Sequence, residues 1–352
     1  TRHSPPPAMI DVAGLSARAG TFSLTDVTFQ IPARGYGVVI GPAGAGKTTL
    51  LEVLAGVIPT TSGTVRLADR DMHGVPPEAR GIGLVYQHAY LFPHLSVADN
   101  VTYGTSDLAF AHDVARRLGV HALMNRPVHA LSGGERQLVA LTRAIAPRPP
   151  ILLLDEPFVA LDPRRRAAIR REVRALYREL GSTVLQVTHD FTEAGLLGDV
   201  AVLLDAGHVL QAGPPEEVFR KPASSEVAAF LGAENVYAGT VVVLGDGTVE
   251  FHTSDGAMTF VAAGDATPGP GHAVVPADEI VLSPTAIASS ARNVFHGYVE
   301  AVERSGPLAR VTVMVDGAPL VAALTTRSAS ELRLDPGTPV IATFKAMAVH
   351  LC

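Results

Sequence analysis

Four short runs of the chain are apolar at nearly every position: GVVI at 37–40, ILLLD at 151–155, TVLQVT at 183–188 and VAVLLD at 200–205. A strand hiding one face alternates apolar with polar residues. An unbroken apolar run fits a strand buried on both faces, as in a parallel sheet between helices. Helical patterns follow three of these runs, at 47–55, 163–180 and 191–197. The alternation predicts an α/β nucleotide-binding domain. Between 87 and 150 the β signal fades, which predicts a helical subdomain over about 88–150. It ends in a helix at 132–146, stopped by PRPP. After Gly213, PPEEVFRKPASSEVAAFLG predicts two short helices leading out of the domain. From Val236 the texture changes to turn-rich hairpin patterns, LGDGTVEF, TSDGAMTF and VMVDGAPL, which predict a small all-β barrel or sandwich. A join rich in Pro and Gly, ATPGPGH, lies inside it, and a second β unit begins near Ser289. The expected division is therefore 9–232, 233–288 and 289–352.

At 352 residues the chain accommodates two or three domains. Its net charge of −6 argues against a general nucleic-acid binder, and no nucleic-acid partner is expected. Residues 236–291 hold six acids and no Lys or Arg, which reads as a solvated, non-catalytic module. The single cysteine, Cys352, excludes an intrachain disulfide or zinc framework and suits a reducing cytosol. No run approaches 18 apolar residues, so no bilayer span is expected, and no signal peptide is visible. TRHSPPPAM lacks an initiating Met and reads as a loose tail, with Met9 the expected natural start.

GPAGAGKTT, from Gly41 through Pro42, Ala43, Gly44, Ala45 and Gly46 to Lys47, Thr48 and Thr49, fits the phosphate-binding pattern G-x-x-x-x-G-K-[ST]. Its glycines let backbone N–H groups turn toward phosphate oxygens, and the following helix adds its positive end. Lys47 is expected to reach the β- and γ-phosphates of ATP, and the Thr48 hydroxyl to ligate Mg²⁺. The plainer alternative is an ordinary glycine turn before a helix. ILLLDEP puts Asp155 and Glu156 at a strand end, where one carboxylate holds the Mg²⁺ shell and the next polarises an attacking water. The alternative is an acidic pair capping a neighbouring helix. His189 ends another apolar strand in VTHD, on the side of a parallel sheet where ligands gather. LSGGERQ, at 131–137, raises a puzzle. Ser132 and Glu135 form an S-x-x-E capping box, and Gly133 and Gly134 leave the helix start open as a second anion site.

These motifs resemble those of ATP-binding-cassette ATPases, the motor subunits of ABC transporters. The likeness covers about 10–232 and runs in the family's order: the P-loop, VYQ with Gln87, LSGGERQ, LLLDEP, ALD with Asp162, and VTHD. The resemblance implies a head-to-tail homodimer in which Ser132, Gly133 and Gly134 of one copy close on nucleotide held by the other. It implies that Gln87 senses Mg²⁺ and water, and that Asp162 belongs to the nucleotide site. It implies two transmembrane permease subunits, an external substrate-binding protein, and a peripheral position on the cytoplasmic face of the inner membrane. HAYLFPHLSVADNV would meet the permease through Tyr90, Leu91 and Phe92; core packing is the equal alternative for those three side chains. Three positions depart from the family pattern. Ala19 stands near the usual adenine-stacking aromatic, with Phe22 the nearest ring; Val159 stands where Ser is common; Ala43 replaces a frequent Ser.

GHAVVPADEIVLSP resembles the tail of solute-importer ATPases, with Val275 in place of a common Arg. Residues 289–351 are similar to the molybdate-binding Mop domain, most plainly in SARN and FKAMAVHL. That likeness implies binding of molybdate or tungstate between copies, with Ser290, Arg292 and Lys345 as the best-matching positions and Thr326, Arg327 and Ser328 as weaker ones. A tetrahedral dianion needs several donors and positive charge. The alternative is a dimerisation barrel in which Arg292 makes a surface ion pair. The expected function is the ATP-hydrolysing subunit of a molybdate or tungstate importer, with inhibition by oxyanion bound to the tail. The alternatives are the same motor serving sulfate, iron or a sugar, a non-transport ATPase, and a regulatory sensor with a dead ATPase.

Overall fold

The computed structural model describes residues 8–244, 247–264 and 266–352. The opening residues 1–7 and the Gly245–Asp246 part of the LGDGTVEF turn lie outside it. The chain divides into two compact units, Thr1–Glu216 and Glu217–Cys352.

The first unit is organised by a six-stranded sheet in the order His208–Gly213, Val200–Asp205, Tyr36–Ile40, Thr183–Thr188, Ile151–Asp155, Ile82–Val85. Five strands run parallel, and only the His208–Gly213 edge strand is antiparallel to its neighbour. Every residue of Tyr36–Ile40, Ile151–Asp155 and Thr183–Thr188 is buried, which is why those segments read as unbroken apolar runs. Register aligns their ends: Ile40 pairs with Thr188, Val187 with Asp155, and Leu154 with Val85. The segments that follow, beginning at Gly41, Tyr86, Glu156 and His189, therefore leave the sheet along one edge. Helices follow at Lys47–Ala55, Pro163–Leu180 and Phe191–Leu197, as the sequence predicts.

A second sheet, not foreseen from the sequence, is antiparallel, in the order Phe22–Pro32, Ala8–Ala19, Thr60–Leu67, Arg70–Asp71. Its inward residues Ile10, Val12, Val27 and Ile31 share one core with Leu50, Leu51, Val53 and Leu54 of the phosphate-loop helix. Arg80 closes the far end of that helix. Its guanidinium donates to the carbonyls of Val53, Leu54, Met72 and Val75 at 2.8 to 3.2 Å. Carbonyls at a helix C-terminus have no partner within the helix. Arg80→Met is expected to strip these acceptors of their donor and to destabilise the unit by about 2 kcal/mol or more in chemical denaturation.

The segment between the Ile82–Val85 and Ile151–Asp155 strands is helical, with Val97–Thr102, Leu108–Arg117 and Gly133–Ile145. Ser96 and Ser132 both close capping boxes, with Asp99 and Glu135 respectively. The third helix spans Gly133–Ile145, with Ser132 and Ala146 as its caps.

The second unit holds two five-stranded sheets. Val281–Ser283 pairs with Pro339–Phe344 of the later sheet, and His350–Leu351 returns to pair with Gly269–Val274 of the earlier one. Phe251, Phe260 and Phe344 sit in a single core that spans both sheets. The segments 233–288 and 289–352 thus exchange edge strands. The Ser225–Phe230 helix, expected to lead out of the first domain, packs in this unit against Val236–Val243 and Gly269–Val274.

Candidate active site

The phosphate loop leaves Ile40 and turns into its helix at Gly46, whose φ of 100° is left-handed. Gly44 is left-handed too, at 84°. A side chain at Gly41 would lie 2.1 Å from the Leu204 carbonyl oxygen, and one at Gly46 would lie 2.5 Å from the Phe22 ring. These glycines are therefore required by shape. Lys47 spans the loop, its ammonium donating to the carbonyls of Gly41 and Pro42 at 2.8 and 2.9 Å. Partial burial lowers the Lys47 pKa, and the negative charges of Glu156 and Asp155 act against that shift.

The Thr48 hydroxyl donates to Asp155 Oδ2 at 2.7 Å. Burial raises the Asp155 pKa, opposed by the Thr48 bond and by the positive charges of Lys47 and His88. Glu156 has a φ of 45°, an uncommon backbone for a residue with a Cβ. Its amide donates to the Val187 carbonyl at 3.0 Å, so the bend is held by the neighbouring strand. Its Oε1 lies 2.7 Å from His189 Nδ1. The glutamate side chain is only 10% exposed and the imidazole 65%, so the pair points from the sheet edge toward solvent. Asp155 bonds Thr48 and Glu156 bonds His189, so the acidic pair faces the cleft and, among the described residues, caps no helix.

A cleft of about 550 Å³ joins these groups. It is lined by Phe22, Ala43, Gly44, Gly46, Lys47, Thr48, Thr49, Gln87, Asp155, Glu156 and His189. Gly41, Pro42 and Ala45 form the loop behind it. Phe22 is the aromatic on this wall; Ala19 is not part of it. Ser132, Gly133, Gly134 and Asp162 do not line the cleft of their own chain. Ser132 and Gly133 are exposed at the start of their helix, where Ser132 N–H donates to Glu135 Oε2 at 2.8 Å. A side chain at Gly134 would lie 2.9 Å from the Ala160 carbonyl. Asp162 caps the Pro163–Leu180 helix by accepting from the Arg165 amide at 3.0 Å.

Three residues to which the motif reading gave no role tie these parts together. Gln137, the last residue of LSGGERQ, is buried and donates to the Tyr86 carbonyl at 3.2 Å, one residue before Gln87. Arg143, two turns further along the same helix, donates to the Tyr90 carbonyl at 2.6 Å and stacks over Phe92. Asn100, fully buried, accepts from the Phe92 amide and donates to its carbonyl. A buried polar residue on an otherwise apolar helix face was the available signal. Of the three side chains proposed for permease contact, Tyr90 is 65% exposed while Leu91 and Phe92 are half-buried.

In the second unit a small cleft of about 210 Å³ brings Ser290 and Lys345 together, beside Glu279 and Phe344. Arg292 is exposed and does not line it. The other three candidates are engaged locally on the Thr326–Glu331 helix. Thr326 donates to the Gly306 carbonyl at 2.9 Å, Arg327 pairs with Glu331 at 2.7 Å, and the Ser328 amide donates to Thr325 Oγ1 at 3.0 Å. One chain thus unites two of the six residues.

A phosphate loop, an adjacent hydroxyl–carboxylate pair and a strand-end Glu–His pair on one parallel-sheet edge define a P-loop nucleoside triphosphatase. The sequence profile of the ABC transporter family matches residues 24–159, and that of the TOBE domain matches 289–351. A molybdate/tungstate import ATP-binding protein, WtpC of Pyrococcus horikoshii, is 35% identical over 97% of this chain and 99% of its own length. A Fe(3+) ions import ATP-binding protein, FbpC of Streptomyces coelicolor, is 41% identical over 67% of this chain and 70% of its own. Among solved structures, the ATP-binding cassette MJ0796, a dimer in a post-hydrolysis state bound to ADP and Pi, aligns with a TM-score of 0.54 and 27% identity. It covers 59% of this chain and 99% of that one. The chain belongs to the ABC transporter family, as an ATP-binding and ATP-hydrolysing subunit.

Proposed function

We propose that the chain powers import of molybdate or tungstate, working as a homodimer on the cytoplasmic face of two membrane permease subunits fed by an external binding protein. The observation that carries the motor half of this reading is the cleft itself. It gathers Lys47, Thr48, Asp155, Glu156 and His189, while the exposed start of the Gly133–Ile145 helix lies outside it. A cleft lacking the signature residues of its own chain is completed by those of a second copy. No helix among the described residues is long and apolar enough to cross a membrane.

Lys47 and the loop amides hold the terminal phosphates of ATP. The Thr48 hydroxyl and the Asp155 carboxylate, 2.7 Å apart, fit Mg²⁺. No group of three His, Cys, Asp or Glu side chains suited to a metal is present among the described residues. Mg²⁺ usually takes one or two protein oxygens and fills its shell with water and phosphate, as the Thr48–Asp155 pair would allow. When bound, the cation neutralises charge on the phosphates. Gln87 stands where it reports the occupied site to the segment leading to Tyr90. Glu156 accepts the proton of the attacking water, and His189 fixes the Glu156 carboxylate. Phe22 offers its ring to the base in place of Ala19. Ser132 and Gly134 act on the partner's nucleotide, and Asp162 sets the start of the helix beside that seam.

The cargo reading rests on the tail, including residues 289–352. The molybdate/tungstate relative is matched through this region, whereas the iron relative is matched over two thirds of the chain. Oxyanion bound between tails through Ser290, Arg292 and Lys345, with Thr326, Arg327 and Ser328 at the rim, holds the motors apart and limits uptake. Such control requires tighter binding to the open state than to the closed one. In vesicles carrying the assembled transporter, a binding protein loaded with molybdate is expected to raise ATP turnover, and a sulfate-loaded one is not. Equal stimulation by both would assign the motor to another cargo.

A further inference from the structure

His189 presents a mechanical problem. Its imidazole is 65% exposed, and the bond from Nδ1 to Glu156 is the contact that fixes its direction. An exposed ring on a loop keeps one orientation only if the backbone beneath it is held. Directly under it lies a buried polar cluster that the mechanism above does not use. Glu193, in the Phe191–Leu197 helix, is 4% exposed. Its Oε2 accepts from the Thr188 hydroxyl at 3.0 Å and from the Gln186 amide at 2.7 Å, and its Oε1 faces Arg170 at 3.4 Å. The Tyr36 hydroxyl donates to Gln186 Oε1, carrying the chain of bonds to the strand that enters the phosphate loop.

Thr188 is the hinge of this cluster. It is 1% exposed, and its one hydroxyl makes two bonds that straddle His189. It donates to the buried Glu193 carboxylate, five residues on, and accepts from the Asp190 amide at 3.1 Å. The Glu193 amide in turn donates to the Asp190 carbonyl at 3.1 Å. The residues on both sides of His189 are thereby tied to a single buried group. Burying a carboxylate is costly unless it is fully partnered, and removing one partner of such a group is destabilising. Burial also raises the Glu193 pKa, against the bonds from Thr188 and Gln186 and the Arg170 charge.

We infer that Thr188 and Glu193 form a buried latch that holds His189 against Glu156, which makes both of them positioning residues for ATP hydrolysis. The inference rests on the role given to His189 above. It gives the Thr188 hydroxyl a defined task, because that one atom bonds both the helix carboxylate and the amide that follows His189.

The test is a double-mutant cycle on the purified full chain, with turnover and KM for ATP measured for each variant. Thr188→Val keeps the shape and removes the hydroxyl. It is expected to lower kcat about tenfold with KM changed less than about twofold, and Thr188→Ser is expected to restore most of the rate. Combined with His189→Ala, Thr188→Val is expected to cost nothing further. Losses that multiply in the double variant would overturn the latch, because Thr188 would then act on something other than His189. Nitrogen NMR of the His189 ring gives an independent reading. In Thr188→Val the Nδ1 resonance is expected to shift toward that of an unbonded imidazole; an unchanged resonance overturns the latch. If His189→Ala alone leaves turnover intact, the catalytic role proposed for His189 fails, and the ring resonance still decides whether the latch exists. Glu193→Ala is expected to match Thr188→Val, but the cycle does not depend on its folding.

Discussion

Glu156→Gln is expected to lower ATP turnover by about a thousandfold while leaving ATP binding nearly unchanged, since a positioned general base contributes roughly 10²–10⁴ in rate. The amide has almost the same shape and cannot accept the proton of an attacking water. Lys47 and the loop would still hold the phosphates, because none of their bonds passes through Glu156. The backbone of Glu156 should survive as well, since its left-handed φ of 45° is held by the bond from its amide to Val187. Steady-state turnover beside equilibrium binding of a fluorescent ATP analogue separates the two effects. A variant that loses binding and turnover together would mean that Glu156 builds the cleft and does not act in it.

Gly46→Ala is expected to cost about 3 kcal/mol in nucleotide binding, roughly a hundredfold in affinity. Two causes add. A φ of 100° lies in a region where a Cβ strains the backbone, by about 1–2 kcal/mol. The new methyl would also lie 2.5 Å from the Phe22 ring, and forcing extra atoms into packed space costs about 1–3 kcal/mol. Calorimetric titration with ATP measures the loss directly. Because Phe22→Ala also removes the ring offered to the base, Gly46→Ala is compared with wild type and, separately, within the Phe22→Ala background, where only the backbone-strain part of the loss is expected. No further loss in that background would mean that the glycine serves only to admit the ring.

The three strands buried on both faces were legible because burial left no polar residue to interrupt them. The phosphate loop was legible because its spacing is dictated by atoms of the ligand. The antiparallel sheet was not. Its longest strand, Ala8–Ala19, changes register near Leu15 against Phe22–Pro32 and carries Gly14 where the chain crosses Gly63 closely. These irregularities break the two-residue period on which strand reading depends. The exchange of edge strands in the second unit was equally hidden, since Val281–Ser283 and His350–Leu351 are too short to show a period. Within the cleft, the charged residues could be named in advance, but their supports could not. Arg80, Gln137 and Arg143 look like ordinary polar residues until folding brings backbone carbonyls against them. In the Tyr36–Gln186–Glu193 chain the first bond alone joins residues 150 positions apart, and no local pattern announces it.

The signature helix illustrates both sides. Its capping box could be read from Ser132 and Glu135 alone, and both bonds are present. Its partner is not found within one chain: Ser132, Gly133 and Gly134 do not line that chain's own cleft, and on the proposed function they serve the cleft of another copy.

That shared seam is best tested by spin-label distances in the Glu156→Gln variant, where ATP is held without turnover. With Cys352 replaced by Ser, one copy carries a label at Thr21, beside the cleft, and the other at His129, three residues before Ser132; both positions are exposed. Mixed in equal amounts with ATP, the two copies are expected to give a short, narrow distance between labels that vanishes when nucleotide is removed. If saturating ATP produces no coupling between copies, each cleft works without its neighbour, and the account of a shared nucleotide site is wrong.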